Sequence, residues 1–422
     1  MNTETRATPQ KSSKAVEFFK KHMDLIFRIL RNTVPILRIK IGGKEIVLVT
    51  RFKDVQEVLT RPLVFNVTYD EMTQATVGGP YMLGKDGHVV NQRDKGIMRA
   101  FMQSEDLPKI AEATATLVNE AVEQQLDSGE IEIVSTISRW VPAKILGIYF
   151  GFPGPDMESL LRWSKISQHD IFFNSAGDPT TQAKIHQANI DAGIEMRTYT
   201  TELLRQRREQ LKENPELDDV LSRLLKTQFP SSIGFDDERI IANILGILVG
   251  GIQTPNINIV NTLSELLKRP AIHEQAAEAA QENNDDLLYQ YCWEALRFNP
   301  GNPFVVRKCR SDYTLASGTF RSKTIKAGST VLASARSGMR DRRELQVPEA
   351  FCIDRPAYHY FHMGYGMHTC LGDQVAKQEM VQIIKRLLML PNLRAAGEIN
   401  YFHGDDPSDL SPFPESYRLR FG

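Results

Sequence analysis

The chain has 422 residues, 41% of them hydrophobic and 24% charged, ordinary values for a globular protein and enough chain to bury a large core around a cavity. Its net charge of −1 excludes a global basic field and argues against nucleic acid as a partner. The four cysteines, Cys292, Cys309, Cys352 and Cys370, stand far apart with no CxxC pair, which speaks against a zinc cluster or a disulfide framework and fits a reducing cytoplasm.

The first dozen or so residues read as a flexible tail, about 1–14, without the charged start, apolar stretch and cleavage site of a secretory signal. Residues 15–422 show no repeat, no low-complexity segment and no linker-like break, and read as one domain. No run of about 18 apolar residues stands out, so no membrane span is expected. Val16, Phe19, Met23, Ile26, Phe27 and Leu30 recur at helical spacing, and the segment reads as a helix packed on the core rather than a membrane-surface anchor. Residues 36–50 predict a β-hairpin turning at Gly42-Gly43, and Phe52 to Leu59 a short helix. The glycine-rich stretch 66–90 reads as a long loop of the kind that lines binding sites.

From Asn91 to Leu267 helical periodicity dominates. Asp236 to Leu267 is apolar almost all round between Ile240 and Ile252, which places that helix in the middle of the protein. Two more helices follow Pro270 and end near Phe298. Residues 301–335 have strand character with a turn at Gly318, and 337–369 show little periodicity. A helix is predicted from Leu371 to Leu388, and strands between 390 and 422. The fold class is mainly α with small β-sheets near both ends.

The most informative stretch runs His362-Met363-Gly364-Tyr365-Gly366-Met367-His368-Thr369-Cys370-Leu371-Gly372. Its glycines free the backbone for turns and for close approach to a flat partner. Cys370 sits where a helix begins, and the N–H groups and positive dipole of a helix start stabilise a thiolate. The other three cysteines read as small buried hydrophobes.

This stretch resembles the heme-binding loop of the cytochrome P-450 heme-thiolate enzymes, Phe-x-x-Gly-x-x-x-Cys-x-Gly. Gly366, Cys370 and Gly372 stand in register, and His368 occupies a position that in the family often meets a heme propionate. The chain departs at the first position, where Met363 stands for Phe, and Phe361 is two places too early. The resemblance implies the P-450 fold, with heme b (iron protoporphyrin IX) buried between the long central helix and the cysteine loop with its following helix. Cys370 would be the axial ligand of the iron.

Other segments agree in order. Glu294 and Arg297, at i and i+3 on one helix face, match the family's Glu-x-x-Arg, and Arg355 fits the third member of that structural network. Arg307 stands at the family's usual distance for a cation paired with one propionate, and His88 and Arg93 resemble the approach to the other. Gly250-Gly251-Ile252-Gln253-Thr254-Pro255 matches Ala/Gly-Gly-x-Asp/Glu-Thr, except that Gln253 replaces the acid. Pro255 cannot donate to the Gly251 carbonyl, so the helix is expected to open there. The family's substrate-contact segments fall on the 66–83 loop, Leu248, Val249, Ile252, Pro303, Phe304, Val305 and Phe413, a largely apolar set suited to a lipophilic molecule.

The function so implied is a monooxygenase that inserts one atom of O2 into a lipophilic substrate, with electrons from NAD(P)H through ferredoxin reductase and ferredoxin. Thr254 and Gly251 would serve dioxygen and proton delivery. Gln253 cannot titrate, so water at the opened helix or another residue would bring protons. A second reading is a hydroperoxide isomerase or peroxygenase that needs no reductase, and a third a heme sensor or binding protein. Lys377, Lys385 and Arg386 with Lys95 and Arg99 form either a basic patch for the electron donor or a solvated helix face. A cytoplasmic monomer is expected.

Overall fold

The computed structural model describes residues 14–87, 89–174, 179–401 and 411–422. Helix α1 (Lys14–Thr33) leads into the hairpin β1 (Ile36–Ile41) and β2 (Lys44–Val49), and then α2 (Phe52–Leu59). On α1, Phe27 is buried edge-on against Phe304, and Arg31 is buried with its guanidinium on Ser337, so this helix packs on the core. Strand β3 (Phe65–Asn66) and α3 (Asp70–Val77) follow. The expected loop 66–90 is thus corrected: it carries a two-turn helix and a 3-10 turn at Met82–Gly84. Gly78, in left-handed conformation at the end of α3, is the stop signal.

A helical body comes next: α4 (Val89–Phe101), α5 (Leu107–Glu123), the short strand β4 (Glu130–Glu132), α6 (Trp140–Ile148), α7 (Met157–Gln168), α8 (Pro179–Glu213) and α9 (Val220–Lys226). The central apolar segment forms two helices, α10 (Asp237–Gly251) and α11 (Gln253–Leu267), broken at Ile252 (φ −123°, ψ −61°). Asp236 starts α10 by accepting the Arg239 N–H. By length and composition 237–267 is apolar enough to cross a membrane, but it is interrupted and mostly buried inside the protein. The remaining helices and strands are α12 (Pro270–Gln281), α13 (Asp285–Phe298), β5 (Val305–Cys309), β6 (Tyr313–Leu315), β7 (Lys323–Ile325), β8 (Thr330–Ala333), α14 (Ala335–Gly338), α15 (Asp373–Leu388), β9 (Arg394–Ala395) and β10 (Arg418–Arg420).

The main sheet has strand order β1-β2-β8-β5-β3, in which β2 and β8 pair in parallel and the other neighbours antiparallel. The pair β6–β7 and the trio β4-β10-β9 form two small sheets. One large apolar core joins α5, α6, α10, α11, α13 and α15, and a smaller one lies under the main sheet and α2. A large cavity lies between these cores, walled by α3, α4, α8, the α10–α11 break, β5 and the loop before α15.

Candidate functional site

Cys370 projects from the loop that precedes α15. Its N–H donates to the Met363 carbonyl (2.8 Å), and the Gly372 N–H faces its sulfur. Helix α15 begins at Asp373 with Gly372 as cap, two residues later than the sequence suggests, so the thiol precedes the helix rather than starting it. Gly364 is required here: its φ is +74°, and a Cβ would run into the His368 carbonyl. Gly366 is also left-handed (φ +64°) and opens the 3-10 turn Gly366–His368. Burial pushes the Cys370 thiol up, against the opposing pull of the Gly372 N–H and of Lys95 and Arg99.

The cavity opposite is about 840 Å³, toward the upper end of the ~300–1,000 Å³ of ligand pockets. Cys370, Gly372, His368, Gly250, Gly251, Thr254, Val249, Phe304, Val305 and Arg307 line it. Four expected wall residues do not, among them Pro303, which its neighbours Asn302 and Phe304 replace on the wall. Leu248 and Ile252 face the helical core, because on α10 the residues at 246, 247, 249 and 250 share the cavity face. Phe413 is fully buried against His169 and Phe173.

Thr254 is held by a residue the sequence reading missed. Gln168, the last residue of α7, donates from Nε2 to Thr254 Oγ1 (2.7 Å). That bond occupies a lone pair of the hydroxyl and leaves its own O–H to donate. Gln253 is fully buried and off the cavity wall; its Oε1 meets Asn256 Nδ2 at 3.4 Å and its Nε2 has no partner. Asn256 in turn accepts from Ser138 (2.7 Å) and donates to the Pro414 carbonyl (3.2 Å).

Glu294 and Arg297 are both fully buried and joined by two bonds of 2.8 and 2.7 Å. Arg355 Nε, the Cys352 N–H and the Tyr360 hydroxyl also donate to the Glu294 carboxylate. Arg297 spends its remaining donors on the carbonyls of Met339, Pro348 and Ala350. The three side chains therefore tie α13 to the long segment before the cysteine loop.

Cations at the cavity are distributed differently from expectation. Arg307 is buried, with Nη1 on the Val306 carbonyl and Tyr69 beside it. Arg93 is not on the wall: it turns to Asp94 (2.7 Å) and the Ile233 carbonyl (3.1 Å), part of a cluster in which Arg239 and Asn243 also donate to Asp94. Two residues on, Lys95 reaches in instead, lines the cavity and donates to the carbonyls of Met367 and Thr369. His88 lies outside the described residues. His368 Nε2 faces Asp86 (2.8 Å); burial opposes it, but bonds from His368, Val67 and Asn66 hold the Asp86 carboxyl below the usual range. The basic surface is smaller than expected, since Lys95 turns inward, Lys385 is buried on Asp285 and Lys377 pairs with Asp286.

Comparison with known proteins gives the family. The family model "Cytochrome P450" (cytochrome P-450) matches residues 13–390. Mycinamicin IV hydroxylase/epoxidase of Micromonospora griseorubida is 25% identical over 86% of this chain and 87% of its own. Steroid C26-monooxygenase of Mycolicibacterium smegmatis is 25% identical over 88% and 86%. Among solved structures, P450BioI in complex with an acyl carrier protein superposes with a TM-score of 0.78 at 20% identity, covering 96% of this chain and all of that one, a likeness that speaks for the fold alone. The family model spans most of the chain and its named relatives are hydroxylases, epoxidases and monooxygenases: the chain belongs to the cytochrome P-450 family.

Proposed function

We propose that this chain holds heme b by Cys370 and inserts one oxygen atom from O2 into a lipophilic small molecule, with electrons from NAD(P)H through ferredoxin reductase and ferredoxin. The observation that carries the reading is the buried Cys370 thiol set across one cavity from the α10–α11 break and the Thr254 hydroxyl. Three features suit a flat, iron-bearing group with carboxylates on one edge. The cavity has a thiol as soft axial donor. A Cβ built on Gly250 or Gly372 would meet nothing within 4 Å, so both stretches of backbone border open space. Arg307 is a buried cation with guanidinium donors to spare.

In this reading Cys370 would ligate the iron, Arg307 and His368 would hold the propionates, and Lys95 stands in the place expected of Arg93. When bound, heme supplies the oxidising chemistry, whose balance is R–H + O2 + 2 e⁻ + 2 H⁺ → R–OH + H2O. The protein's own share is orientation and protons. Gln168 fixes the Thr254 hydroxyl so that Oγ1 keeps its proton directed at the cavity. The break at Ile252 separates the Gly251 carbonyl from the helix that follows and leaves it to hold a water that replaces the missing acid. Val249, Phe304, Val305 and Met72 exclude bulk water around the reacting carbon.

The test is turnover of lipophilic compounds by the holoprotein with a surrogate ferredoxin and reductase under isotopically labelled O2. One labelled oxygen per product supports the reading. Product from added hydroperoxide alone would transfer the site to peroxide chemistry, and absence of product in both assays would favour a sensor. Cys370→Ala is expected to lose the thiolate-shifted band of the reduced CO complex; a retained band sinks the ligand assignment.

A further inference from the structure

One corner of the cavity carries polar chemistry that C–H oxidation does not need. Helix α7 runs into a π-helical turn, His169–Phe173, which brings Asp170 to the wall facing α8. Asp170 is only 2% exposed. Its Oδ2 accepts from His186 Nδ1 (2.8 Å) and Asn189 Nδ2 (2.8 Å), and its Oδ1 from Asn174 Nδ2 (2.7 Å). Asn189 is fixed in turn by the Thr76 hydroxyl (2.8 Å) and the Met72 carbonyl (3.1 Å). A buried carboxylate is costly unless satisfied in this way, and a pocket for hydrocarbon alone gains nothing from it.

The arrangement fixes what His186 offers. A carboxylate can only accept, so Nδ1 carries the proton, and in the imidazole form of His186 that tautomer leaves Nε2 as an acceptor. His186 is part-buried, lines the cavity together with Asn174, and among the described residues makes no bond through Nε2. The charge balance points the same way. Asp170 and Glu71 line this corner, whereas the lining cations, Lys95 and Arg307, are engaged on the cysteine loop and on β5. An acceptor in an acidic setting selects a hydrogen-bond donor.

We propose that the substrate is amphipathic, with hydrocarbon at the oxidised end and an O–H or N–H donor at the other, and that the donor is read by His186 Nε2, oriented by Asp170. This rests on the monooxygenase reading of the same cavity. A polar site of this kind discriminates strongly against an analogue that lacks the donor, because its buried acceptor is then left unpaired.

The experiment compares n-alkanols with the methyl ethers of equal chain length on the holoprotein. Binding is read from the heme difference spectrum and, independently of the heme, from thermal stabilisation. At the best chain length the alkanol should bind at least about tenfold tighter than its ether. His186→Phe should bring the two within about twofold while leaving ether affinity unchanged, which also shows that the variant is folded. His186→Gln, which keeps an acceptor, should retain a preference of at least threefold. Equal binding of alkanol and ether by the native protein, or a preference that survives His186→Phe, overturns the inference. The reduced CO band is recorded on the same preparations: if it lacks the thiolate shift, the heme-thiolate reading falls, while the thermal preference still decides the role of His186.

Discussion

Gln168 and Thr254 are 86 positions apart, and their bond sets the hydroxyl on which oxygen activation is expected to depend. Gln168→Leu should therefore raise NADPH consumed per product several-fold. It should cost little stability, because Gln168 Oε1 is already buried without a partner and the substitution removes that desolvation penalty along with one bond. A lower Tm with unchanged coupling would make Gln168 a packing residue only. Arg297 is the opposite case. Removing it leaves the Glu294 carboxylate in a fully buried place with Arg355 as the remaining cation beside it and only the Cys352 N–H and the Tyr360 hydroxyl as further donors. Arg297→Met should cost about 3–5 kcal/mol in urea unfolding and impair heme retention. Residues such as Cys370, Glu294, Arg297 and Thr254 could be located in the sequence because each chemistry demands one residue type at a fixed local spacing. Gln168, Asp170 and His186 could not, since they meet only through the packing of α7, α8 and α10. Arg93 and Lys95 show the intermediate case: two helix positions differ by about 200° in direction, so a small error in register exchanges an inward cation for an outward one.

At the scale of elements, the central helix repays attention. The sequence places its opening at the Gly251 carbonyl, for want of a Pro255 N–H, and the structure breaks the helix one residue on, at Ile252. Pro255 then falls in the first turn of α11, where the N–H groups lack intrahelical partners in any case. It forms the start of a new helix rather than a fault in an old one. Pro255→Ala should accordingly change stability by less than about 1 kcal/mol, far below the ~3 kcal/mol of a mid-helix proline. The glycines before it differ from each other. A Cβ on Gly251 would sit 3.0 Å from Leu146, while one on Gly250 meets nothing. Gly250→Ala should thus keep the Tm and weaken binding of the bulkiest ligands by narrowing the cavity, and Gly251→Ala should lower the Tm; equal effects of the two on Tm would contradict this placement. The missed helix α3 had a different cause: Gly78, Gly79 and Pro80 mark a chain stop, and that punctuation masked the eight residues of ordinary helix before it.

On the scale of the whole molecule, the helical body with sheets toward both ends was visible in hydrophobic periodicity, but the parallel union of β2 with β8 was not, since it joins strands almost 300 residues apart whose register local pattern does not encode. The same long-range packing buries two titratable groups beside the cavity. Burial pushes the Glu379 carboxyl up to about 8 and the His362 ring down to about 3, and both His362 nitrogens lack a hydrogen-bond partner. Their effects on stability have opposite signs. Between 4.5 and about 8 the folded chain keeps the Glu379 proton that the unfolded chain has released, so this group's contribution falls as pH rises through that window. Between 6.5 and about 3 the unfolded chain binds a proton at His362 that the folded chain refuses, so that contribution falls as pH drops. The two slopes cancel from 4.5 to 6.5 and leave a plateau, with an alkaline arm that belongs to Glu379. Glu379→Gln keeps the shape and cannot ionise. Its Tm advantage over the native holoprotein should widen from pH 5 to pH 8 and stay constant above; an advantage independent of pH would show that Glu379 ionises in the folded protein as it does in water.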